Sequence, residues 1–454
     1  MSFRTIIDGR NVEISESLLN KYNTNAPRYT SYPTAPVWTD KFGPKDLTHT
    51  LTHLHAHALS LYFHIPFCSK RCLFCGCSTI ATDKHEIAAR YIEALKKEMS
   101  LTTEKMSSKE NVVQLHFGGG TPTFLSCLEI EQLWKEIVSN FKITKDAEIG
   151  IEVDPRVTTS EHLRLLSSLG FNRISLGVQD LSDDVQKAIG RIEPFDHVKK
   201  MIDECRTLDF ESINIDLVYG LPLQTFNSFK RTIAKIIELS PDRMALFNFA
   251  YLPKMLPHQK RLPPETLPSS DEKFRIFCMA IEEFGKNGYD FIGMDHFAKR
   301  NDEMSVAARE KTLWRNFQGY TTKSGTDLLG FGLTSISDVN GCYAQNEKKL
   351  IKYYNRIEDG KLATVRGWKL SERDKSRRTM IRELFCNGET PTKECRSLIT
   401  DHRSPITELE KDELIKINDS TVQVTPLGRL FVRNIAMAFD EYLTPGPIGF
   451  SRTV

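Results

Sequence analysis

Four of the chain's ten cysteines lie close together in one short segment, YFHIPFCSKRCLFCGCSTI, which runs from Tyr62 to Ile80. Thiolates are nucleophiles and ligands for soft metals, so cysteines this close in a chain without a secretory signal pattern indicate metal binding or catalysis rather than disulfide bonds. The four are Cys68, Cys72, Cys75 and Cys77. The other six are scattered singly and are interpreted as isolated thiols: Cys127, Cys205, Cys278, Cys342, Cys386 and Cys395.

Two kinds of metal site compete for this segment. A structural zinc ion takes four ligands in a tetrahedron, usually from two pairs, but Cys77 follows too closely on Cys75 and no second pair is present. An iron–sulfur cluster is held by thiolates, and the CxxxCxxC spacing can place three of them on three irons of a cubane. The fourth iron would then be open to a small molecule, as in a catalytic site. The spacing favours iron–sulfur over zinc or unligated thiols.

The elements that must position these cysteines follow a repeated β-then-α pattern over residues 59–298. The apolar runs are LSLYFHI, VVQLHF, EIGIEV, RISLGV, SINIDLVYG, MALFNFAYL and YDFIGMDHF. Between them lie segments of helical period, such as KHEIAARYIEALKKEM, where Ile87, Tyr91, Leu95 and Met99 recur every fourth residue. Such units predict a parallel sheet with right-handed crossovers. A partial or complete β/α barrel and a doubly wound open sheet are the competing architectures.

Polar residues and glycines collect where the predicted strands end. Cys68 follows the first strand, Gly118–Gly120 follow the second, Glu152 and Gln179 end the third and fourth, and Asp216 lies in the fifth. Because the carboxyl ends of the strands build the active site in β/α folds, we expect these residues on one rim. The three glycines would let backbone N–H groups approach a ligand closely, since glycine has no Cβ; a tight strand-to-helix turn is the alternative.

The two ends of the chain differ from this core. The N-terminal part contains APRYTSYPTAP, which shows no clear period and predicts an extended arm. The tail contains a charged helix, RDKSRRTMIRELF, a hairpin, LIKINDSTVQVTP, and a last helix, LGRLFVRNIAMAFDEYL, an order that resembles a winged helix. The predicted divisions are an arm at 1–55, a barrel at 56–300, an extension and linker at 301–365 and a C-terminal helical domain at 366–454.

Composition and charge are those of an ordinary globular protein. The 454 residues carry a net charge of +2, with 40% hydrophobic and 26% charged residues, so the whole chain gives no strong signal for a polyanionic partner. The N-terminus MSFRTIIDGRNVEISESLL lacks the pattern of a secretory signal, and no apolar run reaches about 18 residues. We therefore expect a cytoplasmic protein without a membrane span, and a monomer because no heptads are free for association.

The cysteine motif after a first strand resembles the radical S-adenosylmethionine superfamily, and YFHIPFCSKRCLFCGC resembles its oxygen-independent coproporphyrinogen III oxidases. Further motifs match in the same order: PRYTSYPTA, HFGGGTPTFL, IEVDPR, RISLGVQDL, NIDLVYGLP, GMDHFA, LWRNFQGYTT and CYAQN. One departure is Tyr251, where close relatives have histidine. The resemblance implies a partial (β/α)6 TIM-like barrel of the radical SAM type, an N-terminal arm and a mostly α-helical, winged-helix-like C-terminal domain.

The same resemblance implies an activity. A 4Fe-4S cluster would reduce S-adenosylmethionine, and the radical so formed would remove hydrogen from a propionate of coproporphyrinogen III, which then loses carbon dioxide and an electron. Carried out twice, with two S-adenosylmethionine molecules, the reaction leaves two vinyl groups and gives protoporphyrinogen IX. The sequence names neither the electron donor nor the electron acceptor.

Roles follow from the resemblance residue by residue. Cys68, Cys72 and Cys75 would hold the cluster, and Tyr62, Gly119 and Glu152 would contact the first S-adenosylmethionine. The second would be contacted by Phe74, Gly120, Thr121, Gln179, Arg191, Asp216, Ala250 and Ile336. The catalytic candidates are Tyr62, His64 and Cys77. A strand-end imidazole such as His64 can pass a proton, and Cys77 is hypothesised to carry a proton or a radical near the substrate.

The N-terminal arm is predicted to take part in substrate binding. The substrate carries four propionates and needs basic partners and a flat apolar slot. Arg28, with Tyr29 and Tyr32, could close over the pocket and pair with a carboxylate.

Three rival functions remain open. A heme chaperone would share the cysteine loop, but such proteins usually lack the fourth cysteine and the PRYTSYPTA arm. A radical methyltransferase that opens heme would share the cluster and the barrel. A nucleic-acid regulator would use the tail, but charge runs are usually solvated helix faces, and we predict no nucleic-acid partner. The basic run of the tail is Arg373, Lys375, Arg377, Arg378 and Arg382.

Overall fold

The computed structural model describes residues 2–54, 58–107, 109–393, 405–443 and 450–453. Of the scattered cysteines, Cys395 lies outside these ranges. The strands are β1 (Ser2–Ile7), β2 (Arg10–Ser15), β3 (Leu59–Ile65), β4 (Phe67–Cys68), β5 (Ile80–Ala81), β6 (Asn111–Gly119), β7 (Lys142–Val153), β8 (Arg173–Gln179), β9 (Ser212–Tyr219), β10 (Arg243–Asn248), β11 (Tyr289–Gly293), β12 (His296–Lys299), β13 (Trp314–Asn316), β14 (Gly319–Thr321), β15 (Asp327–Phe331), β16 (Ile336–Val339), β17 (Cys342–Asn346), β18 (Thr364–Lys369), β19 (Glu389–Pro391), β20 (Ile415–Ile417) and β21 (Thr421–Val424).

The helices are α1 (Glu16–Tyr22), α2 (Pro44–Thr52), α3 (Ile87–Thr103), α4 (Cys127–Asn140), α5 (Ser160–Ser168), α6 (Asp183–Ile189), α7 (Phe195–Thr207), α8 (Phe226–Leu239), α9 (Ser270–Lys286), α10 (Glu303–Arg309), α11 (Leu350–Glu358), α12 (Glu372–Asn387), α13 (Pro405–Lys411) and α14 (Val432–Met437). Short 3-10 turns occur at Ala35–Val37, Pro122–Phe124, Pro257–Arg261, Pro264–Thr266 and Gly428–Phe431.

One large sheet organises the molecule. Its strands run in the order β11-β12-β10-β9-β8-β7-β6-β3-β15-β16-β17-β18. The six strands β3 and β6 to β10 are parallel and follow one another in chain order. A doubly wound sheet reverses its order at a switch point, and no reversal occurs among these six. The fold is therefore a partial (β/α)6 barrel, as expected.

Local signals set the predicted elements. The side chain of Ser126 caps α4 and accepts from the N–H of Glu129, while the Glu129 carboxylate accepts from the N–H of Ser126 at 2.8 Å, so the predicted capping box is present. Along α3, Tyr91, Leu95 and Met99 are buried, and their spacing places them on the face toward the sheet.

The seventh predicted strand, YDFIGMDHF, is instead a hairpin. It splits into β11 and β12, which pair antiparallel with each other, and β12 pairs antiparallel with β10. Gly293 and Met294 have φ angles of +153° and +50° and reverse the chain between them. Beyond β3, the sheet continues through β15, parallel to β3, and through the antiparallel strands β16 to β18.

The first 54 residues contain more regular structure than the predicted extended arm. β1 and β2 form an antiparallel hairpin, and α1 and α2 follow. The alternating burial of β1 places Phe3 against Phe274 of α9, with ring centroids 5.1 Å apart. The arm is thus packed into the core, because its apolar side chains at alternate positions find partners that are far away in the chain.

The tail has the winged-helix-like arrangement that was predicted. The segment RDKSRRTMIRELF lies in α12, and the predicted hairpin pairs β20 with β21, which joins β19 in a three-stranded sheet. The last predicted helix is shorter than expected: a 3-10 turn precedes α14, which ends at Met437. The divisions at 55/56, 300/301 and 365/366 stay predictions.

The basic run of the tail is engaged with the rest of the protein. Arg373 and Arg377 both pair with Glu441, Arg378 pairs with Asp338, and Lys375 pairs with Glu372 on its own helix. The Arg382 guanidinium lies 3.5 Å from the ring centroid of Trp314. Among the helices in the described part of the chain, none combines the length and apolar character needed to cross a membrane.

Candidate active site

The cysteine loop lies at the C-terminal end of β3 and is fixed by backbone hydrogen bonds. The N–H of Ile80 donates to the carbonyl of Pro66 at 2.7 Å, and the N–H of Thr82 donates to the backbone carbonyl of Cys68 at 2.9 Å. The N–H of Leu73 donates to the carbonyl of Ile189, at the end of α6, at 3.0 Å. The first two bonds close the loop at its ends, and the third ties its middle to the barrel.

One cavity of about 150 Å³ gathers most of the predicted site residues. Its lining includes residues from β6, β7, β8 and β9 and from the cysteine loop that follows β3, as the rim argument predicted. The predicted residues that line it are Cys68, Phe74, Cys72, Cys75, Cys77, Gly119, Gly120, Thr121, Glu152, Gln179, Arg191 and Asp216.

Two arginines place positive charge beside the thiols. Arg156 Nη2 lies 3.4 Å and Arg191 Nη1 lies 3.5 Å from the Sγ of Cys72, and both guanidinium groups also pair with Asp154. Burial raises the pKa of the Cys68 thiol to about 11, so an isolated thiol there would stay protonated. Sequence reasoning noted the IEVDPR motif but gave Arg156 no role.

This environment fits an iron–sulfur cluster. Among the described residues, no three His, Cys, Asp or Glu side chains converge closely enough to hold a single metal ion. The thiolates of a multi-iron cluster each bind a different iron and need no such convergence. Cys68, Cys72 and Cys75 line one cavity, and the nearby guanidinium groups would offset the negative charge that thiolates bring.

Cys77 is coupled to Cys75 rather than aligned with the other thiols. The neighbouring Cys77 thiol and the charges of Arg71 and Arg191 together lower the pKa of Cys75 to about 6. The proximity and negative charge of Cys75 raise the pKa of Cys77. These shifts favour an ionised Cys75 beside a protonated Cys77; the catalytic role of Cys77 stays a prediction.

A second cavity of about 280 Å³ adjoins the first and contains the other catalytic candidates. Tyr62, His64, Glu152 and Ile336 line it. His64 Nε2 lies 3.0 Å from the carbonyl oxygen of Ser78, which can only accept, so Nε2 carries the proton. His64 Nδ1 then accepts from the Tyr62 hydroxyl, 3.0 Å away. Burial lowers the pKa of His64, which favours the neutral ring.

Glu152 links these cavities and is held by groups from β6. Its Oε2 accepts from the N–H of Gly119 at 3.1 Å, and its Oε1 lies 3.4 Å from His116 Nε2. These contacts lower the pKa of Glu152 against the effect of burial. The His116 ring also stacks on Tyr62, with centroids 6.3 Å apart and planes at 11°. Sequence reasoning missed His116, although it stands two residues before Gly118, on the same face of β6.

Asp216 lies between the cysteine cavity and a cavity of about 190 Å³ inside the barrel. It accepts hydrogen bonds from Asn214 and Ser175. Burial and the charge of Glu152 raise the pKa of Asp216 to about 7, so near neutral pH it exchanges a proton readily. Gln179, on the neighbouring strand, has a φ of +71°, and a bulge between Gly177 and Gln179 accommodates this backbone.

The glycine run serves the protein's own packing. The N–H groups of Gly119, Gly120 and Thr121 donate to Glu152, Ile65 and Phe67, so these three N–H groups have acceptors within the protein, while ligand contacts of the glycines stay a prediction. A Cβ on Gly119, whose φ is +114°, would lie 2.6 Å from the His64 ring, and one on Gly120 would lie 2.7 Å from the Phe67 carbonyl oxygen. The glycines are needed because strand ends and side chains of the site approach this backbone.

The remaining predicted residues lie elsewhere. Ala250 lines neither of the two cavities, and its carbonyl accepts from Gln259. Arg28 pairs with Asp295 and lies 5.6 Å from the centroid of Phe247, a residue of the interior cavity. Tyr29 and Tyr32 are buried against the C-terminal part of the chain, near Phe385 and Tyr442. The two tyrosines are thus packing residues, while a substrate contact of Arg28 stays a prediction.

Comparison with known proteins agrees with the geometry. The sequence profile described as the Radical SAM superfamily matches residues 62–236. The chain is 42% identical over 446 residues to the oxygen-independent coproporphyrinogen III oxidase of Synechocystis sp. (strain ATCC 27184 / PCC 6803 / Kazusa), covering 95% of this chain and 96% of the relative. It is 42% identical over 435 residues to that of Escherichia coli (strain K12), covering 94% and 95%.

A solved structure is similar over the same length. The coproporphyrinogen III oxidase of Escherichia coli, described with its structure as a radical SAM enzyme, superposes with a TM-score of 0.89 at 41% identity. The match covers 95% of this chain and 99% of that one.

Proposed function

Because the chain belongs to the oxygen-independent coproporphyrinogen III oxidases of the radical SAM superfamily, we propose that its two adjoining rim cavities are where coproporphyrinogen III loses two carboxyl groups. Two propionates become vinyl groups, and protoporphyrinogen IX is formed. The observation that carries this assignment to particular residues is the cysteine cavity, which joins Cys68, Cys72 and Cys75 with Glu152.

Cys68, Cys72 and Cys75 hold the 4Fe-4S cluster in this proposal. The cluster and S-adenosylmethionine, when bound, supply the electron and the hydrogen-abstracting group of the reaction. The chain contributes the thiolates and the two guanidinium groups beside Cys72, which stabilise negative charge at the sulfurs. Thr121 Oγ1, 3.5 Å from Cys68 Sγ, adds a hydrogen bond to the same group.

Glu152 orients the first cosubstrate. Its carboxylate is ionised and partly satisfied by Gly119 and His116, and its remaining acceptor capacity suits an ammonium or hydroxyl group. His116 limits the orientations that Glu152 adopts, because it contacts one carboxylate oxygen while Gly119 holds the other. We therefore add His116 as a positioning residue beside Tyr62 and Gly119.

The second S-adenosylmethionine contacts residues on the other side of Glu152. Phe74, Gln179, Arg191 and Asp216 line the cysteine cavity there, and the proposed contacts of Gly120, Thr121, Ala250 and Ile336 complete the set. Arg191 is held by Gly177 and Asp154, so it offers a fixed positive charge. A site for two cosubstrates suits a reaction carried out on two propionates.

The propionate that reacts enters the cavity lined by Tyr62, His64 and Ile336. His64 is neutral with Nδ1 facing the Tyr62 hydroxyl, so this pair can hold or move one proton at the rim. Cys77, which opens into the neighbouring cavity, is the other proposed proton carrier. Arg28 is proposed to pair with a substrate carboxylate in exchange for Asp295.

The location and assembly of the protein belong to the same proposal. We propose that it acts in the cytoplasm as a monomer, with an arm at 1–55, a barrel at 56–300, an extension at 301–365 and a C-terminal domain at 366–454. The donor and the acceptor of electrons are separate molecules.

The test is an anaerobic turnover experiment. The protein is reconstituted with iron and sulfide and then given dithionite, S-adenosylmethionine, a cell extract as electron acceptor and coproporphyrinogen III, and the porphyrins are separated by chromatography after oxidation. The expected product has lost two carboxyl groups.

The same experiment separates the rival functions. An unchanged tetracarboxylate together with release of deoxyadenosine would contradict the proposed substrate and direct attention to heme opening. Tight heme binding without any product would favour a chaperone. The Cys68→Ser variant is the matched control and is expected to give neither product nor deoxyadenosine.

A further inference from the structure

Two surface segments beside the cysteine cavity carry positive charge only. Residues 68–82 and 249–264 contain no aspartate or glutamate, although the chain has 59 acidic residues in all. Their five basic residues are exposed: Lys70, Arg71, Lys254, Lys260 and Arg261. Among the described residues, none of the five forms a salt bridge, whereas most exposed cations of the barrel helices do.

The two segments are parts of one surface. His258 Nε2 lies 2.8 Å from the carbonyl oxygen of Cys75, and Gln259 Nε2 donates to the carbonyl of Phe74 at 3.1 Å. The loop that carries Lys254, Lys260 and Arg261 therefore lies directly on the loop that carries the cluster cysteines. These two hydrogen bonds hold the loop that carries the three cations against the cysteine loop.

Exposed apolar side chains occur in the basic loop and in chain stretches that are hydrogen-bonded close to the two segments. Met255 is 62% exposed, Leu223 is 49% exposed and Ile192 is 60% exposed. The N–H of Leu223 donates to the carbonyl of Thr266 at 2.8 Å, which ties it to the end of the basic loop. Apolar residues surrounded by charged ones are the usual anatomy of a protein–protein interface. We call the cations and these three residues the basic face.

The acidic groups next to the basic face form no salt bridge with its cations among the described residues, including the exposed Asp83, which directly follows the first segment. Asp183 and Asp184 stand in the first turn of α6, at the opposite end of that helix from Ile189, which contacts the cysteine loop. Glu265 follows the basic loop and is exposed. Glu193 is buried and paired with His197. Five unpaired cations therefore face solvent around the apolar residues.

We propose that the basic face docks an acidic one-electron carrier protein, which delivers the electrons that the cluster needs. This inference rests on the proposed function, since only a cluster under this surface gives the carrier a role. The reduced carrier loses one electron and the cluster gains it, with no proton or atom transferred. Electron transfer weakens steeply with distance, and the basic face includes Lys70 and Arg71 of the cysteine loop and the loop that is hydrogen-bonded to it. Complementary charge steers such encounters, and carrier complexes are typically small and transient.

The first measurement is binding. The reconstituted protein is titrated under anaerobic conditions with an acidic bacterial flavodoxin, and separately with an acidic plant-type ferredoxin, at low and at high salt. We expect saturable binding of at least one carrier that weakens as salt rises. A variant with Lys254→Glu, Lys260→Glu and Arg261→Glu should raise the Kd about tenfold or more, because three attractive contacts become repulsive.

A matched control reverses three positive charges on a part of the surface away from the basic face. Lys109, Lys142 and Lys145 are exposed and lie at the N-terminal ends of β6 and β7, away from the cysteine cavity. The variant with glutamate at these three positions should bind the carriers like the unmodified protein. Equal weakening of binding in both variants would overturn the proposal. The proposal would also be overturned if neither of the two carriers bound. Binding of a short single-stranded RNA to the basic face with no carrier bound would assign the surface to a nucleic acid and overturn it as well.

Turnover separates this inference from the proposed function. With dithionite as reductant, the basic-face variant should decarboxylate coproporphyrinogen III at the rate of the unmodified protein, whereas with reduced flavodoxin its rate should fall. If dithionite supports product formation but no carrier binds, the docking proposal fails and the proposed function stands. If a carrier binds and drives cleavage of S-adenosylmethionine without decarboxylation, the docking site stands and the proposed substrate fails.

Discussion

The four sulfur atoms of the cysteine loop have different surroundings. Cys72 is buried between Arg156 and Arg191, Cys68 contacts Thr121, and the neighbouring Cys77 lowers the pKa of Cys75. Three thiols thus have a partner that stabilises a negative sulfur, whereas the pKa of Cys77 is raised by its neighbour. We expect the first three to be ligands and the fourth to be dispensable for iron binding.

Serine substitutions test that division. Cys68→Ser, Cys72→Ser and Cys75→Ser should each lose most of the iron after reconstitution, because an alkoxide is a poor substitute for a cluster thiolate. Cys77→Ser should keep its iron and its visible absorption but lose turnover. Iron and sulfide content per chain are the measurements, with Cys127→Ser, a cysteine outside the site, as the control. Full turnover of an iron-loaded Cys77→Ser protein would refute a catalytic role for Cys77.

Helix α3 connects the outer layer of the barrel to the second cavity. Its buried Glu98 accepts hydrogen bonds from the N–H of Gly332 at 2.8 Å, from Asn346 at 2.6 Å and from the Tyr353 hydroxyl at 2.7 Å. The chain after Gly332 forms a wall of that cavity with Thr334 and Ile336. Glu98 therefore holds a turn that shapes the site without touching it.

The ionisation of Glu98 should be visible in the stability of the protein. Burial raises the pKa of Glu98 from 4.5 to about 7. A folded state that binds the proton more tightly than the unfolded state is favoured at low pH, so this contribution is fully present below about pH 4.5 and is lost as pH rises through about 7. The stability of the unmodified protein relative to Glu98→Gln should therefore fall by about 3 kcal/mol between these limits.

Urea unfolding of both proteins at several pH values measures that difference. The Glu93→Gln variant, altered at an exposed position of the same helix, should follow the pH profile of the unmodified protein. A stability difference between Glu98→Gln and the unmodified protein that stays constant from pH 4.5 to 8 would show that folding does not raise the pKa of Glu98.

The turn between β6 and α4 is the element that depends most on small residues. A Cβ on Gly120 would lie 2.7 Å from a backbone oxygen, which cannot move aside as a flexible side chain could. Gly120→Ala should destabilise the protein by about 1–3 kcal/mol and displace the cysteine loop, since Pro66 and Phe67 begin that loop. Thermal unfolding and iron content are the measurements.

Gly285→Ala in α9, where a Cβ meets nothing within 4 Å, is the matched control. It should be neutral or slightly stabilising, and equal effects of the two substitutions would contradict the packing argument.

The two ends of the chain close the molecule together. Arg433 of α14 is buried and donates to the carbonyl of Pro27 at 3.1 Å and to that of Arg452 at 2.7 Å. Asn434 donates to the carbonyl of Tyr22 at 2.9 Å. The arm that carries Arg28 is therefore positioned by the C-terminal part of the chain.

Removing the central arginine should loosen both ends. Arg433→Ala leaves buried carbonyl groups without a donor and should cost about 2–3 kcal/mol of stability. Limited proteolysis should then cut the arm before the barrel. Arg373→Ala, which breaks an exposed ion pair on α12, should change neither stability nor proteolysis appreciably. Unchanged stability of Arg433→Ala would show that the arm is held by its aromatic contacts alone.

Local patterns determined much of this protein. The spacing of Cys68, Cys72 and Cys75, the capping box at Ser126 and the alternation of apolar runs with helical periods depend on residues close together in the chain. They predicted the parallel strands, the rim, and the cysteines, glycines and strand-end polar residues of the cysteine cavity. Motif order supplied the family, and with it the residues that spacing could not assign.

Only the tertiary structure decided which distant residues meet. It brought His116 and Arg156 into the site, split YDFIGMDHF into a hairpin and buried Tyr29 and Tyr32 against the tail. Arg433 and Pro27 lie more than 400 positions apart in the sequence, yet they are hydrogen-bonded. No local period encodes such a pair, because its formation depends on the packing free energy of the whole molecule rather than on the propensity of either segment.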